Sequence, residues 1–409
     1  MLKKSEGIES SRRRQRFNAH TSSYESSNRQ TIRIDINSSE EYLDFQNGYL
    51  VYSLAVTGGG SNVGVPRYAA TAPFVSMSVS DRAGNQIGEE VRDYAVLCRM
   101  LFEMNANLEA ENSFLNELEG SDGVTPAANN AATLAARQYA HRIPTHIFGS
   151  ANYFPAHLFG GITINIQYSN ADWLIESGGA TAEYTLSNVA YVCDMVKLRP
   201  EVEQMVLSSV QQGGLVVDYT TFHSTKANVS ASASSFRADL GNLNGRVKNM
   251  QVVSIKSTDR TIDENGDFSR NNLSSYRFKI GSKFCSEAPI QCGAALQSEY
   301  LMEWLKSQKI LCTENMLQFG NQVSLAGGAL NSTKFVIGQG VDRSKTDAVL
   351  SSLKDKDSNR LELNLVYGSG GATEDQTIHC FTELDKRLVC LPGKQHIDND
   401  FQGMGTSMV

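Results

Sequence analysis

Tryptophan is almost missing from this chain, with two in 409 residues, and so is any long apolar run. Without a stretch of about eighteen apolar residues there is no segment that reads as a membrane-spanning helix. The N-terminus, MLKKSEGIESSRRRQRF, has basic residues but no apolar core, so it does not read as a secretory signal, and synthesis in the cytosol is expected. Seven cysteines are scattered with no CxxC pair. That leaves no close ligand pair for zinc, and an odd count without a signal favours reduced, mostly buried thiols. Two tryptophans, one of them on a helical stretch, are too few for the clustered exposed aromatics that a carbohydrate-binding β-sandwich needs. No HExxH and no GxSxG occurs.

Near-misses are equally informative. Gly58 to Gly64 (GGGSNVG) is followed by Val65-Pro66-Arg67, whereas a phosphate cradle needs Gly-Lys-Ser/Thr opening a helix. Asp263 to Asp267 (DENGD) has Gly266 at its fourth position, where a calcium loop needs glycine at its sixth, so a turn is expected. His141 and His146 flank Pro144 and could form a chelating pair, or be ordinary loop and strand-edge residues. No catalytic, metal-binding or cofactor-binding residue is assigned.

What is present is strand grammar. Ile162-Thr163-Ile164-Asn165-Ile166-Gln167-Tyr168 alternates with the period of two of a half-buried strand. Before it lie Arg142-Ile143-Pro144, an aromatic loop with Phe148, Tyr153, Phe154 and Pro155, and the Gly160-Gly161 turn. Thr31 to Ile36 alternates in the same way. Further strands are expected at Gly48 to Thr57, Phe74 to Val79, Tyr184 to Leu198, Leu215 to Phe222, Phe236 to Leu240, Arg246 to Lys256, Ser275 to Ile280, Lys334 to Ile337, Arg360 to Tyr367, Thr377 to Thr382 and Arg387 to Leu391. Ser38 to Asp44 and Glu119 to Thr133 read as polar corner and surface loop. Helical spacing appears at Leu97, Leu101, Met104 and Leu108, in Pro200 to Gln212, and in Gln297 to Gln308. Short strands with few helical insertions predict two antiparallel β-sandwiches in tandem.

The charge is uneven. Lys3, Lys4, Arg12, Arg13, Arg14 and Arg16 oppose only Glu6 and Glu9 in residues 1–19, about +4, which leaves −11 for the rest of a chain whose total is −7. A basic arm on an acidic body can neutralise phosphates of nucleic acid or anionic lipid, or it can be a solvated tail or the partner of an acidic protein surface.

In order along the chain, several of these segments resemble double jelly-roll major capsid proteins of Polinton-like viruses, virophages, adintoviruses and related eukaryotic DNA viruses. The segments are Ile32 to Leu54; Ile143-Pro144 through Gly160-Gly161-Ile162-Thr163-Ile164; Tyr276 to Phe284 with Pro289-Ile290 and the helix through Glu299; Phe335 to Gly338; Leu350 to Leu353; and Phe381 to Leu391. Cys285-Ser286-Glu287 departs from the Tyr-Pro usual there. The resemblance implies an all-β-dominated fold of two tandem antiparallel eight-stranded jelly rolls with short helical insertions. Its expected divisions are a flexible basic arm over 1–30, a first jelly roll over 31–199, an inter-barrel helix over 200–214, a second jelly roll over 215–397 and a C-terminal tail over 398–409. It further implies a non-enzymatic virion protein that forms homotrimeric, pseudo-hexagonal capsomers in an icosahedral shell. Its partners would be neighbouring capsomers, penton and minor or cement capsid proteins. The basic residues of the arm would face inward, toward genome, membrane or a minor capsid protein. A double jelly-roll scaffold of virus assembly is the nearest alternative.

Overall fold

The computed structural model describes residues 6–28, 31–38, 40–57, 62–88, 90–105, 113–124, 131–149, 152–176, 182–213, 215–243, 246–256, 268–293, 297–307, 335–341 and 360–390. The turn at 263–267, the Leu350 to Leu353 segment and the tail beyond residue 397 lie outside these residues.

The strands of the first half are β1 (Glu9–Asn18), β2 (Ser23–Glu25), β3 (Thr31–Ile36), β4 (Tyr42–Thr57), β5 (Val63–Gly64), β6 (Phe74–Asp81), β7 (Val91–Arg92), β8 (Leu134–His141), β9 (Ile162–Tyr168), β10 (Ile175–Glu176) and β11 (Glu183–Leu198). The second half contributes β12 (Leu215–Val229), β13 (Ser235–Asn242), β14 (Arg246–Lys256), β15 (Leu273–Ile280), β16 (Lys283–Phe284), β17 (Ile290–Gln291), β18 (Val336–Gly340), β19 (Arg360–Tyr367) and β20 (Gln376–Cys390). Helices occupy Tyr94–Asn105, Phe114–Glu119, Pro200–Gly213 and Gln297–Ser307 among the described residues.

Set aside the short additions β2, β5, β10 and β17, and the two halves become topologically identical. In the first, the sheets run β1-β11-β4-β8 and β3-β9-β6-β7; in the second, β12-β20-β14-β18 and β13-β19-β15-β16. Counted along each half, both read first-eighth-third-sixth in one sheet and second-seventh-fourth-fifth in the other. That order, with antiparallel ladders, is the doubled Greek key of a jelly roll, and the chain contains it twice. By compactness the chain groups into one unit of residues up to Ala95, Glu117–Phe222 and from Asp385 onward, and a second of Val96–Asn116 and His223–Leu384.

The alternating β9 is the central strand it promises to be. Ile162, Ile164, Ile166 and Tyr168 are buried, and the strand bonds to β3 on one side and β6 on the other. The aromatic loop before it closes the first unit's core. Phe148 and Phe154 meet Phe45 with ring centres 5.0 and 5.4 Å apart, and Phe154 stacks on Phe159 at 5.1 Å. Each such pair contributes about 0.5–1.5 kcal/mol beyond its area. Phe154 also exchanges backbone hydrogen bonds with Leu43 at 2.8 and 2.9 Å, which ties the loop to the start of β4. Gly48 lets that strand pass close to Tyr191, because a Cβ there would overlap the tyrosine hydroxyl. In the second unit Tyr276, Phe278, Leu361, Leu363, Leu365 and Tyr300 lie in one buried cluster.

Three expectations need correction. The first jelly roll does not begin at residue 31 after a flexible arm, because Glu9–Asn18 is a strand of its sheet, paired to β11 from Leu198 to Ala190. Ser38 to Asp44 is not a corner throughout: β4 starts at Tyr42, and Tyr42, Leu43 and Asp44 are all fully buried. Thr377 to Thr382 and Arg387 to Cys390 are not separate strands but parts of β20, and Leu391 lies outside the described residues.

Candidate functional site: the basic edge strand

The basic cluster lies on β1, the outermost strand of its sheet. Side chains alternate across a strand, so Arg12, Arg14 and Arg16 share one face, and Arg13, Gln15 and Phe17 the other. Opposite Arg12, Arg14 and Arg16 on β11 stand Val196, Asp194 and Val192. Lys3 and Lys4 lie outside the described residues. Of the four arginines, two are engaged by carboxylates of the same chain and two by neutral groups.

Arg12 is the keystone. Its Nη1 donates to Asp44 Oδ2 at 3.2 Å and to Asp194 Oδ2 at 3.1 Å, and its Nη2 donates to Glu9 Oε1 at 3.2 Å and to the Tyr153 hydroxyl at 3.0 Å. The Tyr153 hydroxyl in turn donates to Glu9. One guanidinium thus joins β1 to β4, β11 and the aromatic loop. The bond from Arg12, then the one from Tyr153, holds the Glu9 carboxyl below its ordinary value, and the bond to Glu9 holds Arg12 more firmly protonated. Burial and then the Glu9 carboxylate push Tyr153 up to about 12. Asp44 has no exposed surface and also accepts from Asn47 Nδ2 at 2.9 Å. A buried carboxylate is tolerated only with such compensation.

Arg13 forms a two-pronged pair with Glu41 at 2.7 and 2.6 Å, the fork geometry that suits a carboxylate. This bond lowers Glu41 and raises Arg13. Arg14 donates to the Tyr49 hydroxyl and lies over that ring, 5.8 Å from its centre. Arg16 donates to Asn18 Oδ1 at 3.2 Å and to the Asn188 carbonyl at 3.0 Å. The positive charge not matched by these carboxylates therefore sits on Arg14 and Arg16. Nothing in the residues near Arg12 and Arg13 marks Asp194 and Tyr153 as partners of the first or Glu41 as the partner of the second. Asp44 does carry a signal, an acid inside the apolar run Tyr42-Leu43-Asp44-Phe45, where a charge needs a partner.

A second polar constellation is internal. His141 Nε2 shares a hydrogen bond of 2.7 Å with the Tyr94 hydroxyl, and His141 Nδ1 lies 3.1 Å from both Glu119 oxygens. All three residues are buried. His141 thus belongs to a Tyr–His–Glu chain that ties β8 to two helices, not to a chelate with His146. Glu119, read as the start of a surface loop, is buried because His141 reaches it. Among the described residues no group of three or more His, Cys, Asp or Glu could hold a metal ion. Burial pushes the thiols of Cys193, Cys285, Cys292 and Cys380 up to about 12, well away from reactive thiolate. No described helix is long and apolar enough to cross a membrane.

No family model matches the chain, and no curated protein matches it. Solved structures do. PBCV-1 VP54, as fitted into a cryo-EM reconstruction of the virophage Sputnik, is 11% identical, covers 95% of this chain and 97% of its own, and has a TM-score of 0.66. The Faustovirus major capsid protein is 7% identical over 93% of this chain and 90% of its own, at 0.63. The mavirus major capsid protein is 9% identical over 94% and 89%, at 0.50. Nearly full-length superposition at such identity is a likeness of fold: the chain has the double jelly-roll fold of viral major capsid proteins.

Proposed function

We propose that this chain is a viral major capsid protein, a non-enzymatic building block whose three copies form a pseudo-hexagonal capsomer that tiles an icosahedral shell. The observation that carries the reading is the strand order repeated in both halves, together with the end-to-end likeness to capsid proteins. Two like barrels per chain give three chains six barrels, and six barrels approximate a hexagon. Capsomers would then meet like capsomers, with penton and minor or cement capsid proteins as further partners, and the protein would reside in the virion shell.

The inward-facing role of the basic segment falls, on this reading, to Lys3, Lys4, Arg14 and Arg16. Arg12 and Arg13 neutralise carboxylates of their own chain and hold β1 in place. A genome, membrane or minor-protein contact made by so few charges is weak for one chain and gains strength from many copies on one shell. Charge reversal at Arg14 and Arg16 is therefore expected to leave the capsomer intact and to impair assembly.

The native mass tests the capsomer directly. Three chains of 44.8 kDa give about 134 kDa, so light scattering should report that mass and keep it on dilution, with hexagonal tiles by electron microscopy. A stable 45-kDa monomer at micromolar concentration would contradict the reading. A scaffold of the same fold differs in one respect, absence from purified virions.

A further inference from the structure

The phase of the β1 ladder follows from one bond. Ala19 N donates to Val189 O at 2.9 Å, and closely bonded residues alternate along an antiparallel pair. Phe17, Gln15, Arg13 and Ser11 therefore bond to β11, while Arg12, Arg14 and Arg16 turn their backbone groups outward. None of the ten residues of β1 is buried; only Glu9, Gln15 and Phe17 are half-buried. The strand itself therefore buries little apolar side chain. What it leaves when lifted away is a seat: the β11 edge from Val192 to Leu198, the carboxylates of Glu41, Asp44 and Asp194, and the hydroxyls of Tyr49 and Tyr153.

We propose that this seat docks the arginine-bearing N-terminal strand of a second copy of the same chain, so that β1 exchanges between neighbouring copies. Its occupant is specified by complementarity already on view. Eight residues, Ser11 to Asn18, are paired in one register and Glu9 pairs beyond a bulge at Ser10; one arginine joins Asp44 and Asp194, and the next forks onto Glu41. The hinge is Ala19 to Ser22. Beyond it Tyr24 is buried and β2 bonds to the same β11, so the chain is anchored on the barrel side of the hinge. Contacts made in trans repeat those made in cis, and an exchange alters only the hinge. Two copies must meet for this to happen, but they need not form a capsid.

Ser11 and Lys197 face each other across the ladder and are both exposed, which suits a cysteine pair. Full-length chains carrying Ser11→Cys and Lys197→Cys separately, distinguished by tags of different length, are mixed, incubated and oxidised. Covalent heterodimer is expected to accumulate with time, faster in about 1 M salt, which screens the latch. Adding Arg12→Ala to the Ser11→Cys chain is expected to speed the exchange roughly tenfold. The double variant on one chain should close internally. A double variant that closes while the mixture never exceeds the dimer level of unmodified chains overturns the exchange. A double variant that fails to close overturns the seat itself. A second pair, Gln15→Cys on a Cys193→Ser chain mixed with the unmodified chain, reads the same event at the middle of the ladder.

Discussion

β1 and β12 hold the same place in the two jelly rolls, first in chain order and next to the eighth strand, yet they are fixed by different forces. In β12 six of fifteen residues are buried, among them Leu215, Val217, Tyr219 and Phe222. In β1 none of ten is, and the strand is fixed by its ladder and by Arg12 and Arg13 on carboxylates. β12 is committed mainly by the hydrophobic effect, which is insensitive to salt screening and acid, with one ion pair beside it, Asp218 with Arg387 at 2.7 Å. β1 is committed by directional, screenable contacts. One topology can thus carry a permanent strand at one position and a removable strand at its equivalent.

The contrast can be broken most forcefully at Phe222. Phe222→Ala should lower stability by about 3–5 kcal/mol, read as an earlier unfolding transition in denaturant. Arg12→Ala comes next. It leaves the buried Asp44 without its guanidinium, a loss of about 1–3 kcal/mol that should appear as faster amide exchange in β1 and little change in β12. An equal loss of protection in both strands would contradict the division between them.

Acid should loosen β1 as well. Glu9 and Glu41 lie below the ordinary glutamate value of 4.5 in the folded chain, so their contribution is full above that value and disappears as pH falls through the lower folded values. β1 protection should then be flat from neutral pH to about 4.5 and decline below it. A loss that instead begins on the alkaline side would refute the carboxylate latch. The smallest effect is expected from Arg13→Ala, whose side chain is 57% exposed, so that solvent screens its pair with Glu41 to less than about 1 kcal/mol.

The same division explains what could be read from the residues. β3 and β9 declare themselves through isoleucine at every second position, because burial on one face imposes that period. The helix Pro200–Gly213 declares itself through its proline start, early acids and glycine end. β1 carries no such pattern, since Arg-Arg-Arg-Gln-Arg is held mainly by partners far away in the chain, from Glu41, 28 residues from Arg13, to Asp194, 182 residues from Arg12, and it reads as a solvated arm. β8 is hidden for a related reason: only Tyr139 and His141 of its eight residues are buried. Nor is the duplication legible, because the halves share strand order and not residues, as Ser11 to Arg16 beside Val216 to Thr221 shows. At the candidate site the arginines are visible in the sequence and, Asp44 apart, their carboxylates are not, so the cluster looks free although Arg12 and Arg13 are paired with carboxylates.

Hydrogen exchange of the unmodified protein at neutral pH tests the contrast most directly. The amides of Ser11, Arg13, Gln15 and Phe17 should exchange well before those of Val217, Tyr219 and Thr221, and about 1 M salt should widen the gap by weakening the ion pairs of β1. Equal protection of the two strands, unchanged by salt, would show that β1 is as permanent a part of its barrel as β12 is of its own.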